Sequence, residues 1–144
     1  STPKPSSAAS DVYKRQHTFF ELPKDEARND LGWEQNGKYV LFAGAFENKV
    51  KNYALAQKAV TLVNGCQLIE LKGYDRVQVN LLMNACDCLL MTSDKEASPM
   101  VIKEAMLCGC PIISVDVGDV KDMISGIVGC FIVRREPEDI ADKL

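Results

Sequence analysis

Short apolar runs alternate with amphipathic runs from residue 38 to the end of the chain, and this alternation is the feature that most limits the fold. Residues 39–43 are all apolar and are followed by Gly44, a pattern typical of a strand buried on both faces of a parallel sheet. The intervening runs place apolar residues three and four positions apart, as helices packed on a sheet do. Because the connections are short, the sequence predicts right-handed crossovers in an open, doubly wound, mainly parallel α/β sheet of Rossmann-like type.

The predicted elements begin with a short lead-in helix, which follows Pro23 and stops at Gly32. A second helix is expected to be capped by Asn52 and to continue until residues 64–65, an Asn-Gly pair. The predicted strands cover residues 39–43, 67–71, 88–91, 111–115 and 130–133. The predicted helices cover residues 24–31, 53–63, 77–85, 99–109 and 120–124, with a last one from Pro137.

The 144 residues are predicted to hold one folded domain. Residues 1–16 are rich in Ser, Ala and Pro and lack periodicity, so we expect a non-native or disordered segment there. Residues 17–37 are expected to form the lead-in helix and a linker. Residues 38–144 are expected to form the α/β domain, truncated at its last helix.

Charge and apolar patterning exclude two classes of partner. The chain has 17 basic and 20 acidic residues, a net charge of −3, and no basic cluster longer than Arg134-Arg135, so nucleic acid is not an expected partner. No apolar stretch reaches membrane-spanning length, and no secretory signal pattern opens the chain, so a cytoplasmic location is predicted.

Six cysteines occur in or beside apolar runs and are expected to be free, buried side chains in a reducing compartment. The two C-x-C pairs, at residues 86–88 and 108–110, lack the spacing of zinc ligands. We therefore expect no metal site.

Ligands of open α/β sheets bind at the carboxyl ends of the strands, which here are followed by residues 44–51, 92–99 and 116–121. The first of these loops matches neither G-x-G-x-x-G nor a P-loop. It does place Lys49 and Lys51 just before a helix N-terminus, where amides and the helix dipole favour an anion.

The second loop leads into a helix for which Ser98 is the expected N-cap and Pro99 the first helical residue. Glu96 lies in the loop and Glu104 in the helix, where the two carboxylates could accept hydrogen bonds from vicinal hydroxyls of a sugar and a ribose. The alternative is that Glu104 pairs with a neighbouring Lys on a solvated helix face.

Glu96 and Glu104, with seven residues between them, resemble the E-x7-E motif in the donor half of GT-B glycosyltransferases, the large retaining glycosyl transferases group 1 family. Residues 96–113, EASPMVIKEAMLCGCPII, resemble the family pattern E-G-x6-E-A-M-A-x-G-x-P-V-[VI]. The Val-Gly-Asp-Val turn at 117–120 resembles the V-G-G-[VI] that follows it, and the match runs from about residue 18 to 144. The resemblance identifies the C-terminal, nucleotide-sugar-binding half of such an enzyme.

The resemblance implies a role for each matching residue, and none of the catalytic groups is assignable in this half. The implied ligands of the donor sugar are Glu96, Ala97, Ser98 and Met100, that of the ribose is Glu104, and those of the diphosphate are Lys51, Lys49 and Gly44. Pro99 has no amide hydrogen to donate. Two departures are Ala45, where the family has Arg, and Ala97, where it has Gly.

The implied function is transfer of a sugar, of hexosyl type and with retention, from a nucleotide-diphosphate sugar to an acceptor. UDP- and GDP-sugars are the leading donors, no cofactor or metal ion is expected, and an N-terminal acceptor domain is the missing partner. The intact enzyme is expected in the cytoplasm, with peripheral attachment to the inner membrane left open, and this fragment alone is expected to be inactive.

Three alternatives stay open on the sequence. The nearest is a sugar-nucleotide epimerase on the same fold. Another is a receiver module with Asp94 as phosphoacceptor, although Ala45 and Phe46 stand where its acidic pair would be. The third is a non-catalytic binding module. For the glycosyltransferase interpretation, the sequence does not identify the sugar and the base of the donor, or the acceptor.

Overall fold

A computed structural model of the chain describes residues 18–144, and the segment predicted to be non-native or disordered, residues 1–16, lies outside the described residues. The described residues form one parallel sheet of five strands in the order β2-β1-β3-β4-β5. The strands are β1 (Lys38–Phe42), β2 (Cys66–Glu70), β3 (Cys88–Met91), β4 (Ile112–Val115) and β5 (Cys130–Val133). The predicted doubly wound parallel α/β fold is confirmed.

Helices cover both faces of the sheet, since right-handed crossovers that run in opposite directions along a sheet place their helices on opposite faces. They are α1 (Lys24–Leu31), α2 (Tyr53–Thr61), α3 (Arg76–Ala85), α4 (Met100–Leu107), α5 (Val120–Ile124) and α6 (Pro137–Lys143). Helix α1 packs on α3, and α2 packs on α6. None of the helices in the described part of the chain is both long and apolar enough to cross a membrane.

The core lies between the sheet and these helices. All residues of β3 and β4 are buried, as the continuous apolar run of β3 predicts, and the buried residues of β4 include Ser114. The Asn52 side chain accepts a hydrogen bond from the Leu55 amide and caps α2 as predicted. That helix ends at Thr61, before the predicted Asn-Gly stop, because Leu62 and Val63 continue only as a turn bonded to Ala59 and Val60.

Asp87, which lies between α3 and β3, connects the lead-in helix to the sheet. Its carboxylate accepts hydrogen bonds from Lys24 Nζ at 2.7 Å, Arg28 Nη2 at 3.2 Å and the Tyr39 amide at 2.8 Å. The buried Arg28 guanidinium lies 4.9 Å from the centre of the Tyr39 ring, which stacks on Trp33. One carboxylate thus joins α1 to β1.

Asp87→Asn is expected to lower the free energy of unfolding by about 2 kcal/mol near neutral pH, because the buried Arg28 loses its charged partner. Desolvation raises the pKa of Asp87, but hydrogen bonds from Lys24 and Tyr39 outweigh it and hold the pKa below its ordinary value. The stabilisation is therefore present above the ordinary pKa of an aspartate and is lost as the pH falls through the folded-state value.

Thermal unfolding at about pH 7 and about pH 3 measures this difference, with Asp30→Asn on the exposed side of α1 as the matched control. The difference in melting temperature between wild type and Asp87→Asn should be smaller at about pH 3 than at about pH 7. An equal gap at both pH values would contradict the proposed charge interaction.

The cysteines are all free thiols, and Cys86, Cys88, Cys108 and Cys110 are buried as expected. Burial raises the pKa of Cys88 to about 12 and that of Cys108 to about 11, and it also raises the pKa values of Cys86 and Cys110. Cys66 and Cys130 are partly exposed.

Iodoacetamide is expected to modify only Cys66 and Cys130 in the native protein, because alkylation requires an accessible thiolate. Mass spectrometry after short labelling at about pH 8 measures the sites, and labelling in urea provides the fully exposed reference. Rapid native labelling of Cys86 or Cys110 would show that the amino-terminal edge of the sheet opens readily.

Candidate functional site

The loop after β1 is held in place from the neighbouring strand β3. It contains a 3₁₀ helix, Lys49–Lys51, followed by Asn52 at φ +54°, a left-handed conformation that Asn adopts more readily than most residues. Thr92 follows β3 directly, and its buried hydroxyl shares its hydrogen between the carbonyl oxygens of Lys51 and Asn52, at 3.0 and 2.9 Å. The sheet itself therefore positions Lys51.

Lys51 reaches across the carboxyl edge of the sheet to Glu96. The distance from Lys51 Nζ to Glu96 Oε2 is 2.6 Å, and the two side chains are only 22% and 12% exposed. The aliphatic part of Lys51 lies against Gly44, where an added Cβ would stand 2.8 Å from Lys51 Cγ. The structure thus brings three of the predicted site residues together.

A turn after β4 fixes the segment that carries Glu96. Gly118 has φ +54°, and a Cβ on it would lie 2.3 Å from the Ala97 carbonyl oxygen and 2.7 Å from that of Glu96. The next amide, of Asp119, donates a hydrogen bond to the Ala97 carbonyl at 3.0 Å. Only glycine allows two backbone segments to approach this closely.

The start of α4 differs from the prediction by one residue. The helix begins at Met100, Pro99 is its N-cap with ψ 122°, and no side chain caps it, so the predicted Ser98 cap and the first helical position of Pro99 are both wrong. The fixed φ of proline suits either position, and the extended ψ of Pro99 delays helix entry. The Ile102 amide donates to the Pro99 carbonyl at 3.2 Å, whereas the amides of Met100 and Val101 have no acceptor within the helix.

Glu104 lies one turn further along α4 and lines a hollow of about 340 Å³ together with Arg76, Met100 and Lys103. The side chain is half-buried, and within residues 18–144 no hydrogen bond or ion pair is recorded for its carboxylate. Burial raises the pKa of Glu104 above its ordinary value, while the Arg76 charge lowers it. Pairing of Glu104 with a neighbouring Lys, the alternative prediction, is wrong.

Glu96 lines a different space, an open groove of about 570 Å³ along the ends of β3, β4 and β5. Its lining comprises Asp94, Lys95, Glu96, Ala97, Asp116, Val117, Gly118 and Arg135. The Asp94 carboxylate is held by Asn52 Nδ2 at 3.2 Å and Arg135 Nη1 at 3.4 Å. The groove is lined by part of the segment that leads into α4, and the Glu104 hollow is lined by α4 itself.

Two predicted features of the first loop take no part in this arrangement. Lys49 is exposed, and the described residues form no ion pair with it. Ala45 supplies no charge, and the loop beside it is fixed instead by Phe46, whose ring lies 4.1 Å from that of Tyr53 and whose amide donates to Glu70. Sequence reasoning missed Thr92 and Arg135, because neither belongs to a recognisable spacing pattern.

A sequence profile described as Glycosyl transferases group 1 matches residues 56–144. A curated relative, the human alpha-1,3/1,6-mannosyltransferase ALG2, is 26% identical over 117 residues, which cover 78% of this chain and 28% of the relative. The chain therefore spans little more than a quarter of the length of that relative.

Solved structures share the fold at low sequence identity. Sucrose-phosphate synthase from Thermosynechococcus elongatus matches with a TM-score of 0.78 and 18% identity, over 88% of this chain and 39% of that one. The C-terminal domain of a glycosyl transferase group 1 family protein from Francisella tularensis matches with a TM-score of 0.71 and 16% identity, over 89% of this chain and 83% of that one. An Anabaena protein crystallised with UDP and glucose matches with a TM-score of 0.66 and 20% identity, over 87% of this chain and 42% of that one.

Proposed function

Because the chain belongs to the Glycosyl transferases group 1 family, we propose that it is the half of a glycosyltransferase that binds a nucleotide-diphosphate sugar. The intact enzyme would transfer the sugar, of hexosyl type and with retention, to an acceptor held by a separate N-terminal domain. The 28% coverage of the human relative supports the need for a further domain. Both the transferred sugar and the acceptor stay open.

The 2.6 Å contact between Lys51 and Glu96 is the observation that carries this proposal. It places an ammonium group, suited to a diphosphate, beside a carboxylate, suited to sugar hydroxyls. Gly44 lies against Lys51 and leaves room for close approach to the backbone. The diphosphate and the sugar are adjacent parts of one nucleotide-diphosphate sugar.

The remaining donor contacts are proposed along α4. Glu104 offers its carboxylate oxygens, which have no recorded partner in residues 18–144, to the vicinal hydroxyls of the ribose. The amides of Ser98 and Met100, with Ala97 beside them, would contact the donor sugar and its phosphate at the start of the helix. Lys49 is retained as a second, more exposed cation for the diphosphate.

Lys51 and the α4 amides would stabilise the negative charge that develops on the leaving diphosphate, without a metal ion or cofactor. The Anabaena structure with UDP and glucose supports a nucleotide-sugar donor but leaves UDP and GDP equally open for this chain. The free thiols favour a reducing compartment, so we place the intact enzyme in the cytoplasm.

Ligand-observed NMR with UDP, GDP, ADP and their common sugar conjugates tests the proposal. We expect saturable binding of one nucleotide series, and competition between a nucleoside diphosphate and its own sugar conjugate. Circular dichroism confirms that the sample is folded. Absence of binding in all three series by folded protein would overturn the donor-site assignment.

The chain by itself is expected to transfer sugar at least about 10³-fold more slowly than an intact transferase, because we assign the positioning of the acceptor to a separate domain. Product formation from a radiolabelled donor, separated from hydrolysis by chromatography, measures the rate. Turnover in the ordinary enzyme range, about 1–10³ s⁻¹, would contradict the need for a second domain.

A further inference from the structure

We infer that the Lys51–Glu96 ion pair makes the site favour the sugar-bearing donor over the free nucleoside diphosphate that transfer leaves behind. The inference rests on the proposed function, because it takes the diphosphate to Lys51 and the sugar to Glu96. It concerns selection between substrate and product, which follows from the contact between the two side chains.

The pair is held from both sides. Lys51 has its aliphatic stem against Gly44 and its carbonyl bound by Thr92, which limits how far its ammonium can swing. Glu96 belongs to the segment that the Gly118 turn contacts at backbone distance. Only 12% of the Glu96 side chain is exposed while Lys51 is in contact, so the ammonium is the main partner of this carboxylate.

A free nucleoside diphosphate draws the Lys51 ammonium toward its phosphates and weakens the contact with Glu96. The Glu96 carboxylate is then left without its cation, next to a newly arrived anion, and both effects oppose binding. A nucleotide sugar has the same diphosphate, but its sugar hydroxyls donate to Glu96 and replace the hydrogen bond from Lys51.

The sugar therefore contributes twice, through its own contacts and by removing the penalty at Glu96. After transfer the sugar leaves, Glu96 is again unpaired, and the return of Lys51 to it competes with the bound product. Glu96 therefore competes with the diphosphate for the Lys51 ammonium, and this competition ends only while a sugar occupies Glu96.

Calorimetric titrations with UDP against UDP-glucose and with GDP against GDP-mannose test the inference. Glu96→Gln should bind the free nucleoside diphosphate about tenfold more tightly than wild type, because the penalty from an unpaired carboxylate is gone. Its preference for the sugar conjugate should fall by about tenfold or more, for the same reason. Lys51→Met should weaken both ligands.

Glu47→Gln is the matched control, since Glu47 pairs with Lys72 in an exposed position on the same loop. It should leave both affinities within about twofold of wild type. Glu96→Asp retains the charge on a shorter side chain, and it should shift the affinities in the same direction by less, should Glu96→Gln be poorly folded.

Unchanged or weaker binding of the free nucleoside diphosphate by both Glu96 variants, with wild type binding normally, overturns the inference alone. Failure of wild type and of all the variants to bind either nucleotide overturns the donor-site proposal itself. The two failures are therefore distinguishable.

Discussion

Glu104→Ala is expected to weaken binding of the cognate nucleoside diphosphate by about 10- to 100-fold, because it removes a charged acceptor for two ribose hydroxyls. The half-buried carboxylate is available for this role, since no partner is recorded for it in residues 18–144. Titration of the purified variant beside wild type, by calorimetry or ligand-observed NMR, measures the loss.

The same substitution should not lower thermal stability. Burial raises the pKa of Glu104, which means that folding disfavours its charged form at neutral pH, so removal of the carboxylate should leave the melting temperature equal or higher. Loss of binding together with loss of folding would instead indicate a structural role.

Two controls separate ribose recognition from a general electrostatic effect. Lys103→Met alters the charge at the neighbouring position in the same hollow and should change affinity by less than about threefold. A 2′,3′-dideoxy nucleoside diphosphate lacks the hydroxyls and should bind wild type and Glu104→Ala equally. A large difference for the dideoxy ligand would contradict the assignment to ribose.

Gly118→Ala is expected to lower the free energy of unfolding by about 3–4 kcal/mol, through an unfavourable left-handed backbone and a steric clash. The added methyl group would stand 2.3 Å from the Ala97 carbonyl oxygen, and neither backbone segment can yield as a flexible side chain would. Urea unfolding followed by circular dichroism measures the effect.

Gly126→Ala supplies the matched control. Gly126 has φ +76°, but a Cβ there would meet no atom within 4 Å, so the substitution carries the conformational cost alone, about 1–2 kcal/mol. The difference between the two variants is the steric part. Equal losses would show that the Gly118 turn and the Glu96 segment separate easily, and would contradict the steric contribution.

The buried strands were predictable because the side chains on both of their faces must be apolar. The apolar run at Cys88–Met91 has the predicted bounds, since it is enclosed by the sheet and by helices on either side. The edge strand Cys66–Glu70 and the buried strand Lys38–Phe42 both lie one residue earlier than predicted, because their ladder begins with the pairing of Lys38 and Cys66. Local pattern thus locates each strand, while pairing with a neighbouring strand decides its first and last residues.

The site was only partly predictable. The residues of the E-x7-E motif could be named from their spacing, but the Lys51–Glu96 contact joins loops 45 residues apart and depends on the order of the strands. Thr92 and Arg135 were missed for the same reason, because a hydroxyl or a guanidinium gains its role from what the fold places beside it. The helix start at Met100 was missed because proline fixes φ and leaves ψ free.

The Asp87 carboxylate also decides where this half could be joined to another protein. Two of its partners, Lys24 and Arg28, come from the lead-in helix rather than from the sheet. A chimera spliced at residue 38, where the strands begin, would leave Asp87 without two cationic partners and uncover the face of α3 on which α1 packs. Recombination between related enzymes should therefore succeed with crossovers before Lys24, because the lead-in helix then stays with the domain whose Asp87 it contacts.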